Sequence, residues 1–492
     1  MAKISIIGSG FSGLAASCFA AKAGHEATVF EKNTTIGGRA RVYKADGFTF
    51  DMGPSWYWMP DVFENFFAQF GKSSKDYYEL KQLDPGFQLI FGKNDVIEIP
   101  ADMEALESIF EQIEPGSSIA LRRFLKEAQF KYETGMKDMV YKPAFSWLEY
   151  ANMDVIKGML KANLFSSVSS YVHQYFKDER LIALMEFPVL FLGAMANKIP
   201  ALYTMMNYSA LVQGTFYPVG GMFKIVEAMK DLAASLGVHF QTGIEVAKIE
   251  VHKGLVSGLQ TSKGFYAADG LIASADYHHV EQQLLDPQFR NYDAAYWEKK
   301  TFAPSCLIYY IGVSKKIKKL LHHNLFFDAD FNQHAKDIYG SAKWPENPLF
   351  YVCCPSKTDE SVAPEGMENI FILVPVAAGL TDDEHSRERY FEGIIKRMEN
   401  FCGEDFKDQI SYKRTYCISD FVNDYHAFKG NAYGLANTLS QTAVLKPSLK
   451  NKQVKNMFYT GQLTVPGPGV PPALISGQVA ADQLNQYLQK RL

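Results

Sequence analysis

The sequence predicts an α/β fold built on a parallel sheet, with the sheet domain assembled from separated stretches of chain and two inserts between them. Three observations predict it: a strand–turn–helix–strand unit at the N-terminus, a helix-and-strand block over 215–285, and a short strand followed by a long helix at the C-terminus. A chain of 492 residues exceeds what one core usually supports, so more than one domain is expected. Apolar residues make up 47% and charged residues 21%, the composition of a folded chain. A net charge of −4 gives no basis for binding nucleic acid. The six cysteines form no C-x-x-C pair and no metal-ligand spacing, so buried or free thiols and no metal site are expected.

The first element is the run Ile4–Ile7, rich in β-branched residues. It enters Gly8-Ser9-Gly10-Phe11-Ser12-Gly13, a G-x-G-x-x-G turn, and then the helix-compatible Leu14, Ala15, Ala16, Phe19 and Ala20. Ala27–Phe30 reads as a second strand ending at Glu31, 18 residues beyond Gly13. This is a Rossmann-type dinucleotide-binding unit. Gly8 makes the tight turn, Gly10 lets the backbone approach a pyrophosphate, and Gly13 lets the helix pack closely on the strand. The helix N-terminus offers free N–H groups to phosphate, and Glu31 can accept from an unphosphorylated ribose. The same stretch contains a lysine, an apolar run and small residues before Cys18, as an export signal would. That signal would remove the first strand, so an intracellular chain is expected.

Ile36-Gly37-Gly38-Arg39-Ala40-Arg41 follows. The continuation E-K-x4-G-G-R resembles the FAD-binding flavoproteins that include amine oxidases, protoporphyrinogen oxidases and carotenoid desaturases. The resemblance implies FAD as cofactor, with Gly38 beside the diphosphate and Arg39 helping to hold it; Arg41 is the second candidate.

Two later blocks complete this domain. After Gly220-Gly221, Val226, Met229, Ala233 and Leu236 repeat at helical spacing, and strands broken by Lys-Gly turns follow. The resemblance implies a backbone contact near the adenine at Val246 in EVAKI. At the C-terminus, Met457–Tyr459 reads as a strand ending at Gly461. A glycine–proline loop leads into a helix with Pro472 in its first turn. Val470 and Pro471 fall where the flavin edge is implied, and a helix N-terminus there would favour negative charge on the reduced ring.

Gly47-Phe48-Thr49-Phe50-Asp51-Met52-Gly53-Pro54 and Gly430-Asn431-Ala432-Tyr433-Gly434-Leu435 also resemble the bacterial phytoene desaturase family, so the likeness spans nearly the whole chain. It implies an FAD-dependent carotenoid desaturase, with phytoene the favoured substrate: hydride passes to FAD and the neighbouring carbon loses a proton. Glu149 in FSWLEY matches an acidic position of the family's helical insert and is the implied catalytic carboxylate. Leu148 stands where the family often has arginine. Three alternatives stay open: a 1-hydroxycarotenoid 3,4-desaturase of the same family, a flavin oxidase of amines or porphyrinogens, and a non-catalytic prenyl-binding protein on the same fold.

The FAD domain is therefore expected over 1–75, 215–285 and 450–492, a helical insert over 80–214 and a sheet-rich substrate domain over 290–450. The aromatic cluster Ser55-Trp56-Tyr57-Trp58-Met59-Pro60 reads equally as tunnel lining or core, and His278-His279 as a surface pair. No stretch reaches the ~18 apolar residues of a membrane span. The segment around Lys157 and Lys161 and the apolar run 187–197 are candidates for peripheral membrane contact. The expected location is the cytoplasm, at the inner face of the cell membrane, with the oligomeric state open.

Overall fold

β1 (Lys3–Ile7), α1 (Phe11–Lys22) and β2 (Glu26–Glu31) form the expected N-terminal unit. The structure is a computed structural model that describes residues 1–150, 166–190 and 192–490. Ile4 and Ile6 of β1 join one core cluster and Ile7 another, because both faces of a central parallel strand are covered. α1 is buried from Phe11 to Ala20, enclosed between the sheet and the last helix, Val470–Gln489.

The parallel sheet has five strands in the order Met457–Tyr459, Gly270–Ala273, β1, β2, His239–Thr242. Three distant stretches of chain thus build one sheet. Helix Phe223–Ser235 covers the same side as α1, with Val226, Met229 and Ala233 buried as the helical spacing requires. Next to it lies an antiparallel three-stranded sheet, Val246–His252, Leu255–Thr261 and Gly264–Ala267.

A second, seven-stranded sheet runs in the order Ile410–Tyr416, Ser305–Val313, Glu368–Val376, Phe350–Cys353, His323–Phe326, Phe87–Gly92, Asp95–Ile99. Its last two strands correct the expected organisation, since the stretch assigned to a helical insert begins with strands. Phe87 and Leu89 alternate into the sheet's core, and helices start only at Met103. One core cluster joins the sheet to the helices Met103–Ile113, Ser117–Asp138 and Glu179–Leu190.

The run 187–197 also departs from expectation. Phe187, Val189, Leu192, Ala194 and Ala196 are buried in that shared core, so these side chains are interior packing and offer no docking surface. The stretch around Lys157 and Lys161 lies outside the described residues. Among the described residues no helix is long and apolar enough to cross a membrane.

Candidate active site

A cavity of about 280 Å³ opens where the β1–α1 turn, the end of β2, the Gly37–Arg39 turn and the start of the last helix converge. Gly8, Gly10, Glu31, Gly38, Arg39, Val246, Gly461 and Val470 all line it. Gly13 does not; it sits behind the turn and sets its shape.

The turn offers a cradle with no side chain in it. Gly8 has φ +97°, and a Cβ on Gly10 would meet no protein atom within 4 Å. Gly38, at φ +54°, would bring a Cβ to 3.1 Å from Gly10 Cα, so the two glycine turns press on each other. Glu31 is buried at the strand end. One carboxylate oxygen accepts from Ser9 N at 3.0 Å and Ser9 Oγ at 2.7 Å; the other accepts from Asn33 N at 2.9 Å and Nδ2 at 3.1 Å. The two backbone donors fix the carboxylate, while the two side-chain donors can turn away for a ligand.

Arg39 brings a buried cation to the cavity wall. Its Nη2 donates to the Asn431 carbonyl at 3.2 Å, its Nε has no partner, and its guanidinium lies 5.0 Å from the centre of the Tyr425 ring. Burial pulls its pKa below the usual guanidinium value, partly countered by Asp276 and Tyr425. Arg41, two residues on, points elsewhere: it pairs with Asp424 and donates to Tyr425 Oη at 3.2 Å, and it lies off the cavity wall. Thr460 Oγ1, also on the wall, is buried without a partner. A glycine cradle free of side chains, a buried arginine with a spare N–H and an unpaired hydroxyl fit a dinucleotide with a diphosphate centre.

A second cavity, of about 290 Å³, meets the first at Gly53, Pro54, Leu373, Tyr433, Gly469 and Val470. Trp56, Trp58, Met136, Met139, Met205 and Met206 are among its walls, and no carboxylate or imidazole is, among the described residues. Tyr57, between the two tryptophans, faces the other way and bonds Tyr78 Oη at 2.9 Å in the core beside α1. The aromatic cluster is thus both lining and core, by strand-like alternation. A third pocket, of about 60 Å³, adjoins at Tyr351, Leu373 and Tyr433. Burial pushes the Tyr351 and Tyr433 phenols well up, so both side chains are uncharged at neutral pH.

Glu149 needs a correction: it lines none of the three cavities. Its carboxylate accepts from Ala144 N at 2.9 Å, Phe145 N at 2.8 Å and Ser146 N at 3.1 Å, all in its own loop. Those bonds close a turn. The His278-His279 pair also departs from the surface reading. His279 stacks on His426 at 4.0 Å and lines the first cavity, while His278 packs on Phe428 at 3.8 Å. Burial pulls both imidazoles down, to about 3 and about 4 respectively. Sequence reasoning missed Tyr425 and Thr460, which carry no motif, and the buried group His322, His323 and Cys353.

Fold and site together define an FAD-dependent oxidoreductase with an apolar cavity beside the cofactor site. The sequence profile described as "Flavin containing amine oxidoreductase" matches residues 11–485. The chain is 40% identical over 484 residues to a carotenoid 3,4-desaturase of Haloarcula japonica, covering 98% of this chain and 97% of that one. It is 30% identical over 486 residues to a zeta-carotene-forming phytoene desaturase of Myxococcus xanthus, covering 98% and 93%. Cyclohexylamine oxidase of Brevibacterium oxydans shares the fold, with a TM-score of 0.60, 15% identity and 99% of each chain covered. The chain belongs to the flavin-containing amine oxidoreductases, in their carotenoid desaturase family.

Proposed function

We propose that this enzyme introduces a double bond near one end of a carotenoid. The observation that carries the reading is the unequal pair of apolar spaces meeting at Leu373 and Tyr433. One is about 290 Å³, the other about 60 Å³. Leu373 and Tyr433 also border the FAD cavity, so a chain threaded through both spaces presents to the flavin a bond close to its short end. The 40% identity to a 3,4-desaturase supports the same choice over phytoene.

When bound, the flavin supplies the acceptor for a hydride from an allylic carbon. Charge left on a conjugated polyene is spread along it, the neighbouring C–H becomes acidic, and its proton passes to solvent. Trp56 and Trp58 hold the chain by apolar contact and exclude water. In this reading Gly10 and Gly38 admit the diphosphate, Arg39 and the N-terminus of α1 balance its charge, and Glu31 takes the ribose hydroxyls. Val246 borders the adenine, and Gly461 and Val470 border the flavin ring.

The substrate enters from lipid. Phe145, Trp147 and Leu148 are 44%, 58% and 82% exposed, beside Lys142 and Tyr150 of the second cavity's rim. Exposed apolar side chains at the mouth of an apolar chamber suit a membrane surface. The test of the reaction is FAD-loaded protein with liposomes holding either phytoene or a conjugated carotene still saturated at its 3,4 bond. The second should shift its absorbance to longer wavelength. Conversion of phytoene alone would overturn the end-bond assignment, and oxidation of a soluble amine with no polyene reacting would overturn the substrate class.

A further inference from the structure

His323 and Cys353 stand opposite each other on neighbouring antiparallel strands, so their side chains leave the same face of the seven-stranded sheet. His322 immediately precedes the strand, its ring centre 4.5 Å from that of His323. One nitrogen from each ring and Cys353 Sγ lie within 4.8 Å of one another, and all three residues are buried.

The hydrogen bonds show which nitrogens are free. Nδ1 of His323 lies 2.6 Å from the Tyr351 hydroxyl, which gives its own proton to Ser55 Oγ at 2.9 Å. The hydroxyl therefore accepts from Nδ1–H, and in the neutral ring Nε2 keeps a bare lone pair. Nδ1 of His322 lies 2.7 Å from Thr358 Oγ1, and the tautomer in which Nδ1 donates to that hydroxyl leaves its Nε2 bare as well. Nε2 of both rings is buried with no hydrogen-bond partner. Two unpaired imidazole nitrogens are costly in a core. An imidazole with one nitrogen held by an oxygen and the other free is also how a metal-ligating histidine is prepared. Trp56 stacks on His323 at 4.0 Å and 12°, fixing that ring.

We propose that Nε2 of His322, Nε2 of His323 and Sγ of Cys353 form a site for one soft, thiophilic cation, Cu⁺ or Zn²⁺. Two imidazoles and a thiolate are the donor set of such ions. Charge favours Cu⁺: with the thiolate it makes a neutral centre in apolar surroundings, whereas Zn²⁺ leaves net positive charge and seeks a fourth ligand. Binding breaks the Cys353 S–H bond and forms a sulfur–metal bond, with the proton passing to solvent and no electron transferred. A thiol carries its proton at neutral pH, so uptake releases one proton per cation. The ion would pin the strand bearing His323, and with it Trp56, to the strand bearing Cys353 behind the polyene chamber.

The test is equilibrium dialysis of reduced, FAD-loaded protein against Cu⁺ with ascorbate, and separately against Zn²⁺, with bound metal counted by atomic spectroscopy. One equivalent is expected in the wild type and in Cys354→Ser, whose thiol lies instead 3.6 Å from Ser356 Oγ. Cys353→Ser should weaken uptake by at least about tenfold, with flavin absorbance as the check of folding. Co²⁺ added to the wild type should give a thiolate charge-transfer band in the near ultraviolet, a readout that needs no variant. Uptake of either cation with dependence on Cys353 supports the site and identifies its occupant. No stoichiometric uptake by the wild type, or uptake unchanged in Cys353→Ser, overturns it.

Discussion

The Gly8 carbonyl oxygen lies 2.0 Å from the point a Cβ on Gly13 would occupy. A methyl group there cannot be accommodated without moving backbone, so α1 must back away from the strand turn. Gly13→Ala should destabilise the FAD-free protein by about 1–3 kcal/mol or more. Gly10→Ala adds its methyl to open space and should leave that stability unchanged while blocking the diphosphate. Thermal unfolding of the FAD-free variants and FAD titration separate the two outcomes; unchanged FAD affinity in Gly10→Ala would mean that Gly10 does not face the cofactor.

Glu31→Gln keeps the side chain's shape but loses charge-assisted bonds, each worth about 1.5–3 kcal/mol. FAD affinity should fall by roughly tenfold or more. Its amide nitrogen would also face the Ser9 or Asn33 N–H, so a small loss of stability accompanies the loss of affinity. Flavin fluorescence quenching measures the first effect, and unchanged affinity would place the ribose elsewhere.

Glu149→Gln should leave turnover of a detergent-dispersed polyene within about twofold of wild type, because the carboxylate serves only its own loop. A fall of a hundredfold or more in kcat with the fold intact would restore Glu149 as a catalytic group.

Replacing Trp147 and Leu148 together by serine removes two strongly exposed apolar side chains of the proposed lipid contact. At ~25 cal/mol per Å² of apolar area, two such side chains contribute about 2–4 kcal/mol of lipid attachment. Co-sedimentation with liposomes should drop sharply while FAD binding is retained. Undiminished co-sedimentation would move the membrane contact to another face.

Lys446 is buried beside Gly467, its Nζ has no hydrogen-bond partner, and burial, reinforced by Lys300, pulls its pKa down to about 7. The unfolded chain holds this proton up to about pH 10.4. Between those values the unfolded state binds more protons than the folded one, so stability rises with pH, by up to about 1.4 kcal/mol per pH unit. The unfolding midpoint should climb from pH 7 to 9 in the wild type, and Lys446→Met should flatten that slope. An equal slope in the variant would assign it to other groups.

Much of the cofactor site was legible because its signals are local. The turn Gly8–Gly13, the acid at Glu31 and the Gly37–Arg39 stretch each act within a few residues of their own strand. The substrate side was less legible. The family resemblance implies Glu149 in FSWLEY as a catalytic acid, and the fold shows its carboxylate accepting from the backbone N–H groups of its own turn. The apolar run 187–197 predicted a docking surface, but hydrophobicity alone does not distinguish a surface that meets lipid from one that meets a core.

The sequence by itself determined the β1–α1–β2 unit, the cofactor and the family, because these rest on spacings of a few residues that constrain the backbone directly. Only the tertiary structure decided which of Arg39 and Arg41 faces the cavity: the turn sends one inward and lets Asp424, far along the chain, take the other. It alone split Trp56 and Trp58 from Tyr57 and brought His322 and His323 against Cys353. Such assignments depend on strand register and on what is buried opposite, and both are set by contacts between residues tens to hundreds of positions apart.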